Sequence, residues 1–146
     1  MMTKDFLLRL TEEHYGAGAF HVYGRLLEEQ RLTRGGPLLP MWHCTAALRR
    51  AFGGENVLVL DCTNDSLLAH LLGATPVNPL PPHYHCPNCH RLIFEAHADD
   101  GRDLPDLACP ECGAPMAADG HNLQSRSLIG ESVVSLQVPQ ERFAPV

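Results

Sequence analysis

The sequence predicts an α+β chain: a small, mainly helical core containing a strand–turn–helix unit, with a zinc-ribbon lobe inserted into it. Three observations predict this. Apolar residues recur at helical spacing through the first half. Two Cys-x2-Cys pairs stand in the second half, behind a proline-rich connector. Beyond the cysteines, an apolar run has the composition of strands. The resulting segments are 1–75 (helical core), 76–122 (connector and cysteine lobe) and 123–146 (one or two returning strands and a C-terminal tail).

The first helix is expected over residues 5–15, where Phe6, Leu7 and Leu10 share a face. A second spans 20–32, with Phe20, Tyr23 and Leu27 on one face and Glu28 and Glu29 turned outward, and Gly35-Gly36-Pro37 ends it. A third covers 41–52 and closes at Gly53-Gly54. Residues 56–60 read Asn-Val-Leu-Val-Leu, a short buried strand. Asp61-Cys62-Thr63-Asn64-Asp65 then forms a turn rich in capping side chains, followed by a helix over 66–72. The stretch Val77-Asn78-Pro79-Leu80-Pro81-Pro82 is a stiff connector, because proline fixes φ and removes amide donors. After the cysteines, Leu128, Ile129, Val133, Val134, Leu136 and Val138 return to the core as strand.

The chemistry lies in Cys86-Pro87-Asn88-Cys89 and Cys109-Pro110-Glu111-Cys112, pairs separated by 19 residues. A Cys-x2-Cys turn places two thiolates on one metal, and two such turns complete a tetrahedral S4 shell with no open position. That is a structural site, and one structural Zn2+ is the expected ion. Asn88, His90 and Gly113 stand where they can support the ligands, and Gly113 tolerates the positive φ that such a turn needs. The lobe has few large apolar residues (Leu92, Ile93, Phe94, Leu104, Leu107), so the metal is expected to carry its fold. Cys44 and Cys62 read as small buried apolar residues.

Charge is unevenly spread. Lysines and arginines number 11 against 17 acids, and the net charge of −6 divides into +2 over residues 1–54 and −8 over 55–146. The cysteine half is therefore poor at holding bare duplex DNA, which is gripped by cations on phosphates. Arg25, Arg31, Arg34, Arg49 and Arg50 are the available basic face, and the plainer reading of such residues is a solvated helix surface. The N-terminus lacks an apolar signal core, and no run approaches the roughly 18 apolar residues of a membrane span. A cytoplasmic protein with metal-bound or free thiols, no membrane partner and no small-molecule substrate is expected.

From Asn78-Pro79-Leu80-Pro81-Pro82-His83-Tyr84-His85-Cys86-Pro87-Asn88-Cys89, through Asp103-Leu104-Pro105-Asp106 and Cys109-Pro110-Glu111-Cys112-Gly113, to Asp119-Gly120-His121, the sequence resembles a segment of the PolC-type alpha subunit of DNA polymerase III. The likeness is good over about 76–123 and weak on both flanks. It implies that the lobe is a zinc-binding insertion in a palm-like core. It also implies a Gly-Ser-rich phosphate turn, which falls here on residues 61–66 without glycines and with Asp61 and Asp65 present. The family's two magnesium-binding aspartates fall on Val133 and Ser135, and residues 132–140 contain no acid at all. Two-metal phosphoryl transfer needs such carboxylates.

Three functions follow as expectations. The first is a non-catalytic zinc-binding module docking an unidentified protein partner or DNA. The second is a minimal nucleotidyltransferase using Asp99, Asp100, Asp103 and Asp106, acids that otherwise form a solvated loop. The third is a rubredoxin-like iron electron carrier, since S4 geometry accepts either metal.

Overall fold

The computed structural model describes residues 3–33, 38–59, 62–95, 98–124, 128 and 134–137. Arg34, the Gly35-Gly36-Pro37 stop, Leu60, Asp61, Ile129, Val133, Val138 and the tail from 138 onward lie outside the described residues, as does the Cys62 side chain. Helices α1 (Lys4–Tyr15), α2 (Phe20–Thr33), α3 (Leu38–Phe52) and α4 (Leu67–Leu72) form the core. Strand β1 (Leu58–Val59) pairs antiparallel with β5 (Leu136–Gln137), placing Leu58 opposite Gln137. Between them the cysteine lobe adds β2 (His83–His85), β3 (Leu92–Phe94) and β4 (Ala117–Asp119), antiparallel in the order β3-β2-β4. The fold is thus α+β: the three-stranded sheet follows all four helices, while β1 of the two-stranded sheet lies between α3 and α4.

Three of the four helices start for a local reason. Thr3 caps α1 by accepting from the Phe6 amide at 3.1 Å. Ser66 caps α4 by accepting from the Ala69 amide at 3.0 Å. Helix α3 begins three residues earlier than the sequence reading, because Pro40 sits in its first turn, where no intrahelical donor is lost. Leu7, Leu26, Leu67 and Leu128 are fully buried, each worth about 1.5–3 kcal/mol of apolar transfer. Trp42 lies among them and donates its indole N–H to the Thr63 hydroxyl at 3.1 Å.

The face of α2 differs from expectation. Val22, Leu26 and Glu29 point inward, while Phe20 is 79 % exposed. Tyr23 and Leu27 of the expected face do pack against the core, but the buried stripe is centred on Val22, Leu26 and Glu29, which leaves Phe20 at its edge. The deciding residue is Glu29. Its Oε1 accepts from the Ser66 hydroxyl (2.7 Å) and the Leu68 amide (3.1 Å), and its Oε2 accepts from the Leu67 amide (2.7 Å) and Arg25 Nε (2.8 Å). A carboxylate on α2 thereby satisfies the free amides at the start of α4, so a residue read as outward-facing is one of the most buried. Burial pushes the Glu29 carboxyl up, and Arg25 and these donors oppose that.

Tyr15 joins the core to the lobe. Its hydroxyl accepts from Asn78 Nδ2 at 2.8 Å, and its ring lies 4.9 Å from that of His85 and 6.0 Å from that of His83. Next to this junction, burial pulls the pKa of both His70 and His83 down. Each holds Nδ1 against a backbone carbonyl, Thr75 at 3.1 Å and Pro81 at 2.8 Å. The unfolded chain therefore binds these protons more readily, and the stability they withhold grows as pH falls below the ordinary histidine value of about 6.5. In a ring-proton NMR titration both residues are expected to show midpoints below that value. A midpoint at or above it for either would contradict the burial argument.

Candidate metal centre

The four predicted cysteines converge. The sulfurs of Cys86, Cys89, Cys109 and Cys112 all lie within 4.8 Å of one another, with Cys86–Cys112 and Cys89–Cys109 each at 3.4 Å. A tetrahedron with metal–sulfur bonds of about 2.3 Å has edges of about 3.8 Å, so the donor set fits one soft metal ion. Among the described residues no other His, Cys, Asp or Glu group of three or more gathers this closely.

Two knuckles of the same geometry build the site. In the first, the Cys86 amide donates to the Arg91 carbonyl and the His90 amide to the Cys86 carbonyl, both at 2.9 Å. In the second, the Cys109 amide donates to the Ala114 carbonyl (2.7 Å) and the Gly113 amide to the Cys109 carbonyl (2.8 Å). His90 and Gly113 occupy matching places, with φ of 67° and 78°. Glycine adopts this conformation freely, whereas histidine strains to do so. Pro87 and Pro110 each follow the first cysteine of a knuckle.

Donors also reach the sulfurs. The Cys89 amide stands 3.4 Å from the Cys86 sulfur. The Asn88 side chain and the Ala114 amide pull the Cys112 thiol down to about 6. The Cys112 amide, then that of Glu111, pulls Cys109 down. Arg91's amide pulls on Cys89, but hydrogen bonding with Cys109 and its other thiol neighbours carries Cys89 up to about 12. The ion-free cluster thus ionises unevenly, since four anions cannot share so small a space. A dication held by these four cysteines would remove that conflict and displace the remaining protons.

Asn88, His90 and Gly113 therefore all sit in the knuckles. Sequence reasoning missed Arg91 and Ala114, which close the knuckles. The signal was their shared place, two residues after the second cysteine of each pair. It also missed the ion pair from Arg91 to Glu111 across the knuckles, at 2.7 Å.

The other candidates scatter. Arg25 donates Nη2 to the Asp65 carbonyl (2.7 Å) in addition to Glu29, Arg31 forks onto Glu28, and Arg49 donates to the Gly73 carbonyl (2.7 Å). Two of the five arginines read as a basic face are therefore fasteners of α4, Arg50 is exposed on α3, and Arg34 is not described. Cys44 is exposed, not buried as expected, because it sits on the outer side of α3 away from Trp42 and Ala46. In the acidic loop, Asp100 caps the turn at Gly101–Asp103, and Arg102 holds its carboxyl down to about 2. Asp99, Asp103 and Asp106 are exposed.

No protein-family model matches the chain. Individual relatives do. The DNA polymerase III PolC-type of Thermotoga petrophila is 52 % identical over 69 residues, that of Lacticaseibacillus paracasei 49 % over 67, and that of Bacillus subtilis 46 % over 67. Over 44 % of its length, this chain resembles PolC-type DNA polymerase III. The matched stretch is 5 % of each of these relatives, so the PolC-like segment is a small part of a much larger enzyme. Among the described residues no helix is long and apolar enough to cross a membrane.

Proposed function

We propose that this chain is a non-catalytic, structural-zinc module related to the PolC segment, with a zinc-ribbon lobe that presents a docking surface to a protein partner in the cytoplasm. The observation that carries the reading is the closure of the cysteine site. Four sulfurs lie within 4.8 Å of one another, and the amides of Cys89, Arg91, Cys112 and Ala114 stand against the sulfurs of Cys86, Cys89, Cys109 and Cys112 in turn. Such a site leaves no coordination position for a substrate or a water nucleophile.

Three further observations support a non-catalytic role. Ser135 stands where the resemblance expects a magnesium-binding carboxylate. The amides at the start of α4, which would have to face an incoming phosphate, are already taken by Glu29. Asp100, in the alternative acidic site, is engaged by Arg102. A protein partner is favoured over DNA because net charge is −6 and Arg25 and Arg49 are spent internally.

Elemental analysis of the purified protein tests the metal: one zinc per chain and a colourless solution are expected, and iron with visible absorbance would overturn it. Primer extension with magnesium or manganese tests the rest. No incorporation is expected, and template-directed synthesis would overturn the non-catalytic reading. Retention on duplex DNA at physiological salt would replace the protein partner with nucleic acid.

A further inference from the structure

We infer that Gly16 and His90 form a mechanical link between the metal centre and the α1–α2 hairpin, so that a glycine outside the ligand set helps to set the affinity for the metal. This rests on the metal-binding reading above and extends it to residues that touch no ligand sulfur.

The argument begins at the first knuckle. His90 follows ligand Cys89 directly, and its amide is tied to the Cys86 carbonyl at 2.9 Å. Its position is therefore set by the knuckle that the ion holds closed. Its partner in the second knuckle, Gly113, faces open space: a Cβ there would meet nothing within 4 Å. The first knuckle carries a side chain at the same strained φ, and that side chain is used. A Cβ on Gly16 would stand 2.7 Å from His90 Cβ and 3.0 Å from Cγ. Real Cβ contacts are not that short, so the hairpin backbone and the knuckle approach as closely as glycine permits.

Gly16 is itself fixed. It ends α1 with φ of 81°, and its amide donates to the Glu12 carbonyl at 3.0 Å. Tyr15 beside it is buried against His85, whose ring is 5.7 Å from that of His90. On the far side, Phe94 of β3 meets His21 of α2 at 5.4 Å. The hairpin thus rests on both strands that flank the first knuckle, and at Gly16 it meets the knuckle itself. If metal occupancy fixes His90 and His90 fixes the hairpin, the dependence runs in both directions with equal strength.

The test is a Zn2+ competition titration against a chromophoric chelator, comparing the wild-type chain with Gly16→Val and Gly24→Ala. Gly24 lies on α2 with nothing within 4 Å, so its variant controls for a change in the same hairpin that misses the knuckle. Gly16→Val is expected to weaken Zn2+ binding at least tenfold, with Gly24→Ala unchanged. A folded Gly16→Val with wild-type affinity overturns the link and leaves the metal reading standing. A wild-type chain that binds no Zn2+ overturns both.

Hydrogen exchange on the wild-type chain provides the second arm, should Gly16→Val fail to fold. Stripping the ion is expected to speed exchange at the Gly16 and Tyr23 amides, which donate to Glu12 and Ala19. If those amides exchange equally with and without Zn2+ while the His90 amide loses protection, the link is overturned.

Discussion

Removal of the metal with excess strong chelator is expected to abolish the three-stranded sheet of residues 83–119 while leaving the core around Leu7, Leu26 and Trp42 folded. The lobe's own resources are small. Its buried residues are few, chiefly His83, Tyr84, Cys86, Gly101 and Cys109, and two of these are ligands. Strands of three residues paired on a two-ladder sheet do not persist alone in water. Metal binding in such a module contributes on the order of 10–16 kcal/mol at neutral pH, far beyond what these contacts supply. Amide exchange across β2 and β4, measured with and without the ion, is the direct check. Cys109→Ser should mimic the stripped state, because three thiolates leave one side of the ion open where four enclose it. Survival of the β3-β2-β4 pairing in ion-free protein would show that the lobe has a core this structure does not reveal.

Replacing Glu29 by alanine is expected to be the most damaging change outside the metal site. The substitution strands Arg25 beside two unpaired amides and the Ser66 hydroxyl in a buried pocket. Breaking a buried charged pair by removing one member costs about 3–5 kcal/mol. Against a total stability of about 5–15 kcal/mol, that is a large share. Glu29→Gln keeps the shape and loses the charge, so it should fall between wild type and Glu29→Ala. Urea midpoints at constant slope give the comparison. A loss below about 1 kcal/mol for Glu29→Ala, the cost of an ordinary point mutation, would mean that water or a rearranged side chain replaces the carboxylate.

These two sites also mark where the sequence was legible and where it was not. The metal centre could be read because its information is local: two four-residue turns carry the ligands, and proline, glycine and spacing fix their shape. The helices were readable for a similar reason, since α1, α3 and α4 each begin or end with punctuation a few residues away. Glu29 was not readable. Its four donors arrive from Arg25 on its own helix and from residues 66–68, nearly forty positions on, and nothing in the 3.6-residue period distinguishes a buried acid from a solvated one. Arg25 and Arg49 failed in the same way, as apparent surface cations that meet backbone carbonyls brought near only by tertiary packing. Cys44 failed because a lone cysteine reads as buried by composition, while its helix turned it outward.

The pairing of β1 with β5 has a consequence for the order in which the molecule is made. Leu58 and Val59 leave the ribosome first, and their partners Gln137 and Leu136 follow only after the whole cysteine lobe. At about 5–20 residues per second, the delay is roughly 4–16 seconds. All four ligands are available well before it ends, since the last is Cys112. The nascent chain can therefore capture its ion while β1, with half-exposed Leu58, still presents an unpaired edge. Newborn chains are most prone to stick to one another in that interval, and a product cut short before residue 136 would carry a finished metal centre on a chain whose sheet never closes.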